Sequence, residues 1–290
     1  MNFLSKSPLF ILVMFCWLMP QPLCAHGVTT EQLKQLTEQI QRTPNNADLY
    51  LRRGELHRQL GNAKAALADF DTVQKLAPER LEVDVYRARL HLEAHVPELA
   101  QLVLDRYLKL RPSHTEAVLL RAQTNAKLGE RLLAIQDYTT ALNRLAQPKP
   151  ELFLARAQLQ IEGNQLAAAI NGLDEGVAKL GSLVTLQLMA IEVEVKRKRW
   201  DAALARLALV SAQSPRKERW LLQRGEILLQ AGRKVEAQHS IVAALEAIQS
   251  LPDYLRRANA ITGLETKARD LLQSLAQTKK SGSNSAPGTN

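Results

Sequence analysis

Alanine recurs at Ala66, Ala100, Ala134, Ala169, Ala203 and Ala237, in steps of 34, 34, 35, 34 and 34 residues. A fixed period of this length marks a chain built from like supersecondary units. Four residues after each alanine stands a large apolar side chain: Phe70, Leu104, Tyr138, Leu173, Leu207 and Ile241. Twelve residues before each alanine come Gly54, Ala88, Ala122, Ala157, Ile191 and Gly225. Small residues at helical spacing let two antiparallel helices approach closely, and a large residue one turn on fills the space between them. Gly61, Gly129 and Gly232 fall where such a pair must turn, a place where glycine takes the left-handed backbone readily. Pro78, Pro112 and Pro215 cannot continue a helix and stop the second one.

Composition agrees with an all-helical chain. Aromatics make up only 4% of the 290 residues, and no window alternates Val, Ile or Thr as a half-buried strand would. A unit of this size cannot bury its apolar face alone, so the units must stack on one another.

The unit "ADLYLRRGELHRQLGNAKAALADFDTVQKLAPER", residues 47–80, resembles a tetratricopeptide repeat: Tyr50, Gly54, Gly61, Ala66, Leu67, Phe70 and Pro78 fit that pattern. It departs from the pattern at His57, where tyrosine is usual, and at Arg53, where leucine is usual. Further units follow over residues 81–114, 115–148, 150–183, 184–217 and 218–251, the fourth made irregular by the two glycines of "GLDEG". The resemblance implies an all-α, right-handed superhelical solenoid of about six repeats over residues 47–251. It is specific for fold and says little about function.

The flanks read as caps. Residues 26–46 hold a solitary helix over 31–42, with Leu33, Leu36 and Ile40 on one face. Residues 252–278 read as one amphipathic helix, with Tyr254, Ala258, Ile261, Leu264, Ala268, Leu271 and Leu275 on one stripe. The polar tail, residues 279–290, is expected to be disordered.

Residues 1–25 read as an export signal: Lys6, an apolar core over residues 8–19, the breakers Pro20 and Pro22, and the small residue Ala25. The core is shorter than the ~20 apolar residues that a membrane-spanning helix needs. Cleavage after Ala25 makes His26 the mature N-terminus. Bulky Leu23 before Cys24 departs from a lipoprotein signal, so membrane attachment would require a retained signal or a lipidated Cys24. Both cysteines, Cys16 and Cys24, leave with the signal, and the mature chain must hold itself by packing. Export to the periplasm or the exterior makes nucleic acid a poor partner despite the net charge of +9, which is spread among interleaved acids.

No phosphate-cradling glycine loop, zinc-protease helix or cysteine nucleophile occurs, and nothing argues for catalysis or a cofactor. The sharpest metal candidate is His26, whose amine and imidazole together can chelate Cu(II). His91 and His95 stand four apart, but His57 and His91 occupy packing positions of the repeat and His95 lies in its turn. The basic cluster "KRKRW", residues 196–200, covers a helix end and a turn.

In the family that this chain resembles, first helices line a concave face where partners bind. Register places Leu51, Arg52 and Glu55 there from the first unit, and Val85, Tyr86 and Arg89 from the second. The third unit adds Leu119, Leu120 and Gln123, and the fifth adds Leu188, Met189 and Glu192. Relatives that hold the C-terminal carboxylate of chaperones use lysine and asparagine at such places. Leu51 and Glu55 stand there instead, so a protein or peptide partner is implied without that particular recognition. The expected function is an exported, non-catalytic scaffold. Copper handling through His26, or support of a membrane-associated assembly, stands as the alternative.

Overall fold

The computed structural model describes residues 23–283, with side chains over residues 30–277. Among the described residues every regular element is an α-helix. α1 (Leu23–Arg42) precedes the pairs α2 (Ala47–Gln59) and α3 (Ala63–Leu76), α4 (Val83–Glu93) and α5 (Pro97–Leu110), and α6 (Thr115–Lys127) and α7 (Arg131–Arg144). Then come α8 (Pro150–Glu162) with α9 (Leu166–Leu180), α10 (Val184–Lys196) with α11 (Trp200–Gln213), and α12 (Glu218–Gln230) with α13 (Lys234–Gln249). A short α14 (Asp253–Arg256) and a long α15 (Asn259–Ser283) close the chain. Two compact units divide it after Ala94, in the turn of the second helix pair.

In the first unit α1 packs on α2, and α3 lies between α2 and α4 in sequence and contact. Asn46 caps α2 by accepting the Asp48 N–H at 3.0 Å, which satisfies one of the donors a helix start leaves free. In the second unit each pair packs on itself and on the next, and α15 lies against α12 and α13.

The six recurring alanines are all fully buried, and the large residues after them are no more than 5% exposed. The geometry of the small positions explains the period. A Cβ added at Gly54 would lie 2.7 Å from the Phe70 ring, and one added at Gly225 would lie 2.5 Å from Cγ1 of Ile241. Each pair is 16 residues apart and joins the first helix of a unit to its second. The two glycines of "GLDEG" serve the same end. α9 runs through them unbroken, with Gly172 making room for the Arg156 guanidinium and Gly176 for the Phe153 ring.

The turns repeat as strictly as the helices. The left-handed turn backbone occurs at Gly61, His95, Gly129, Asn164, Lys198 and Gly232, in the same steps of 34 and 35 residues as the alanines, while Gly181, also at positive φ but with an extended ψ, ends α9 outside the series. After five of these turns the next N–H bonds to the carbonyl five residues back, as Asn62 does to His57 and Arg199 to Glu194, both at 2.8 Å. This is the closure of a Schellman cap. Three of the six left-handed positions are not glycine and carry its steric cost.

A second ladder links neighbouring helices. Arg53 forks onto Asp69 (2.9 and 2.6 Å) and also reaches Thr37 of α1 at 3.3 Å. One unit further, Arg87 bonds Asp71 at 2.6 Å. Arg121 forks onto Asp137 (2.9 and 2.8 Å) and reaches Asp105 at 3.3 Å. Arg156, only 4% exposed, bonds Glu175 at 2.8 Å. In the fifth repeat the arginine moves to the other helix: Ala190 holds the first-helix position, and Arg206 of α11 bonds Asp174 of α9 at 2.7 Å. Arg53, where the repeat pattern has leucine, is therefore the first rung of a series.

The caps differ from the sequence expectation. The front helix begins at Leu23 rather than at residue 31 and buries Leu36 and Ile40 against Leu49 and Leu56. The rear segment is not one helix. It breaks at Arg257 and Ala258, and Tyr254 is 76% exposed instead of joining the stripe. Past the break Ile261, Ala268 and Leu275 are buried. α15 continues to Ser283, past the expected end, because adding residues to a formed helix needs no new nucleus. The export signal, apart from helical residues 23–25, and the last seven residues lie outside the described residues, as do the side chains of Cys24 and His26. Among the described residues no helix is long and apolar enough to cross a membrane.

Gly225→Ala should cost about 1–3 kcal/mol, because Ile241 is fully buried among Leu222, Ala244 and Ala268 and cannot yield. Gly263→Ala, in α15 with no atom within 4 Å of the added Cβ, should instead gain about 0.5–1 kcal/mol. Urea unfolding of both variants checks the opposite signs. At the turns, Gly129→Ala should cost about 1 kcal/mol although open space surrounds it, since the cost lies in the backbone alone. Lys198→Gly should shift the unfolding midpoint the other way; equal signs for these two variants would refute the backbone account.

Candidate functional site

A groove of about 460 Å3 opens in the first unit. α1 supplies Gln32, Gln35, Leu36 and Gln39; α2 supplies Leu51, Arg52, Glu55, Leu56 and Gln59; α4 supplies Tyr86. The helical period puts the α1 residues on one face, and the buried Leu36 and Leu56 form the apolar floor. Tyr86 has two contacts at once. Its ring lies 6.0 Å from that of Phe70, and it also walls the groove.

The groove's acid is heavily committed. Glu55 accepts from Arg58 Nε at 2.8 Å and Nη2 at 2.7 Å, and from Gln59 at 3.3 Å. Arg89 stands 3.8 Å from the same carboxylate, with its guanidinium 5.8 Å from the Tyr86 ring centre. Burial alone would raise the Glu55 pKa, but the Arg58 and Gln59 hydrogen bonds and the charges of Arg58 and Arg89 outweigh it and hold the carboxyl below the usual range. Arg58 also pairs with Glu93. Arg52 is exposed and makes no ion pair among the described residues.

Sequence register thus brings Leu51, Arg52, Glu55 and Tyr86 to one groove, with Arg89 at its edge. It errs at Val85 and Leu120, which are 4% and 7% exposed and pack inside the helix layers. Val85 of α4 holds the register position of Leu51, and Leu120 of α6 that of Arg52 and Tyr86, yet both are buried, so the packing of each helix and not its register decides which positions stay open. In the second unit Leu119 is half-buried and Gln123 exposed on α6. Leu188 and Glu192 line a second groove of about 360 Å3 with Arg219, Gln223 and Glu226 of α12. Met189 packs instead against the core around Leu186. The contribution of α1 was not foreseen, although three glutamines at i, i+3 and i+7 are visible in the sequence.

The basic cluster resolves into local structure. Lys196 pairs with Glu192 at 3.5 Å and Arg197 with the buried Glu194 at 3.3 Å, Lys198 is the left-handed turn residue, and Trp200 packs beside Leu207. His114 caps α6 by accepting the Ala117 N–H at 3.2 Å, with Tyr107 edge-on at 5.4 Å. Among the described residues no three His, Cys, Asp or Glu side chains gather to hold a metal.

Two imidazoles of the first unit, His57 and His91, are held below the ordinary histidine value. Burial pushes the His57 imidazole below the ordinary value of 6.5, and Arg53 adds to this against the pull of Asp69. Burial and Arg87 do the same to His91. Nδ1 of His57 is buried with no hydrogen-bond partner among the described residues. A histidine whose folded pKa is lowered favours the native state above its unfolded pKa and loses that contribution as pH falls through the folded value. Thermal stability should therefore decline on acidification below about pH 6.5, before the carboxylates Glu55 and Glu175 begin to protonate below 4.5. His57→Gln with His91→Gln should flatten the curve between pH 7 and 5; an unchanged slope would remove these imidazoles as its cause.

Comparison with known proteins bears on the fold. Residues 47–80 and residues 188–251 match tetratricopeptide repeat models. General transcription factor 3C polypeptide 3 of Homo sapiens is 26% identical over 186 residues, covering 62% of this chain and 21% of that protein. The chain thus spans about one fifth of the length of that curated relative. The C-terminal part of a TPR repeat-containing protein from Cytophaga hutchinsonii superposes with a TM-score of 0.63 at 13% identity, over 80% of this chain and 95% of that one. A tetratricopeptide repeat protein from Parabacteroides merdae does so with a TM-score of 0.51 at 18% identity, over 84% and 94%. Residues 47–80 and 188–251 are therefore tetratricopeptide repeats, within a chain of helix-turn-helix pairs that has the fold of such solenoids.

Proposed function

We propose that this chain is an exported, non-catalytic scaffold that holds a protein partner by a peptide segment lying in the groove of α1, α2 and α4. A tetratricopeptide scaffold suits protein–protein interaction, and such repeats are generally non-catalytic. The observation that carries the reading is the convergence of Leu51, Arg52, Glu55 and Tyr86 on a groove walled by the α1 glutamines. An apolar floor with amide walls fits a peptide better than it fits a metal or a small charged metabolite. Apolar side chains find the floor, and primary amides both donate to and accept from a peptide backbone. Tyrosine and arginine, the residue types most often found as binding hot spots, stand at the rim.

The test is selection of a displayed random-peptide library on the purified chain. Tyr86→Ala with Arg89→Glu should abolish binding of the selected peptides by at least about tenfold. Because Tyr86 also packs on Phe70, a second variant, Gln32→Ala with Gln39→Ala, alters only exposed groove residues and should weaken binding with the circular-dichroism spectrum intact. Lys198→Glu with Arg199→Glu is the matched change on the basic turn and should leave binding untouched; Arg197 is spared because it holds the buried Glu194. Loss of binding in the turn variant alone would move the site to that basic edge. Export is supported by the apolar run over residues 8–19 and Ala25. Mass spectrometry of the mature chain should find His26 first, and an intact Met1 or a lipidated Cys24 would contradict the cleavage.

A further inference from the structure

We infer that the segment this groove takes is extended and acidic, with a carboxylate side chain set on Arg52 beside an apolar residue seated between Leu51 and Tyr86. The inference rests on the peptide-binding reading above and goes on to name the chemistry of the peptide.

Charge decides the sign. Glu55 is the acid of the lining, and both of its oxygens already accept from Arg58, with Arg89 3.8 Å away. It is ionised and compensated, so it offers little to an incoming lysine. Arg52 lines the same groove, is exposed, and makes no ion pair among the described residues. An arriving carboxylate gains a two-toothed contact with that guanidinium, while an arriving ammonium is repelled by it. The clefts of a low-dielectric surface strengthen the contrast by focusing the field.

Spacing decides the conformation. Gln35 and Gln39 are four residues apart on α1, and the helical rise sets them about 6.0 Å apart along the axis. Peptide groups facing the same way in an extended strand repeat every ~6.6–6.8 Å. Two glutamine side chains absorb that difference easily, so both amides can serve alternate peptide groups of one strand. A helical ligand has its backbone groups already paired and would offer the amides nothing in place of their solvent contacts and the long, exposed bond that Gln35 Nε2 donates to Glu31 at 3.3 Å. The alternation of an extended strand also turns every second side chain towards the apolar floor.

The experiment is library selection on the wild-type chain and on Arg52→Glu, followed by titration of one enriched peptide and its variants. Wild type should enrich peptides with Asp or Glu next to an apolar residue. Replacing that acid with Gln should weaken binding about tenfold or more, and raising the salt should narrow the gap between the two peptides. Arg52→Glu should move enrichment to Lys or Arg at that position; Arg52 is exposed and makes no ion pair among the described residues, so the variant should fold as wild type. Enrichment of neutral or basic peptides by the wild type, still lost in Tyr86→Ala with Arg89→Glu, would overturn the acidic assignment while the groove stands. Peptides whose binding ignores both the Tyr86 and the Gln32 variants would overturn the groove itself. Backbone N-methylation at alternate positions should abolish binding, and an undiminished N-methylated peptide would overturn the extended conformation.

Discussion

The interlock between a small residue on one helix and a large one 16 residues later holds five of the six repeats together, and in the fifth Ile191 takes the small residue's place. At Gly54 and Gly225 the gap to Phe70 and Ile241 is too narrow for a single methyl group. The helix axes can therefore come close enough for the large side chain to be enclosed by backbone and neighbours. Enclosure at native packing density, rather than exposure to a groove, gives the large residue its contribution to stability. The same closeness fixes the rotation of each helix about its axis, because turning it by one residue would put a bulky side chain where the glycine sits. Everything presented outward, including the groove, inherits that rotation.

Above this apolar frame lies the arginine ladder. Arg53 and Arg121 make nearly the same fork onto Asp69 and Asp137, and each extends a third nitrogen to the preceding helix layer, at Thr37 and Asp105. A partly buried ion pair of this kind adds little net stability over a well-packed leucine, but removing one partner strands the other charge. Its effect is on choice: an arginine facing the wrong layer would lose its acid. The fifth repeat supports this account. When Ala190 takes the arginine's place, Arg206 appears on the opposite helix and finds Asp174. Charge is exchanged across the seam while the link to the preceding layer is kept.

The groove draws on both devices. The interlock positions α2 so that Leu51, Arg52 and Glu55 face outward, and local ion pairing settles which of the charges is left for a ligand. Arg58 and Arg89 neutralise Glu55, whereas Arg52 has no such partner among the described residues. A groove described only by its residue types, one arginine and one glutamate, would look neutral. Described by its pairings, it favours an anion.

The period, the all-helical class, the three turn glycines and the outward face of α2 were legible in the sequence, since each follows from local helical spacing and from a period that recurs along the chain. The arginines at 53, 87, 121 and 156 repeat just as visibly. Their partners could not be assigned from spacing alone, because a residue 16 positions away is reached through helix packing and not along the chain. The same holds for "GLDEG", whose glycines look like helix breakers until Arg156 and Phe153 are seen to fill the space beside them. Val85 and Leu120 were misplaced because a face of a helix spans more residues than a neighbour leaves open. The break at Arg257 and the exposure of Tyr254 follow from where α15 docks on α12 and α13, a long-range fit that no local pattern encodes. Local periodicity determined the elements and their order; three-dimensional packing decided which side of each element was left for a partner.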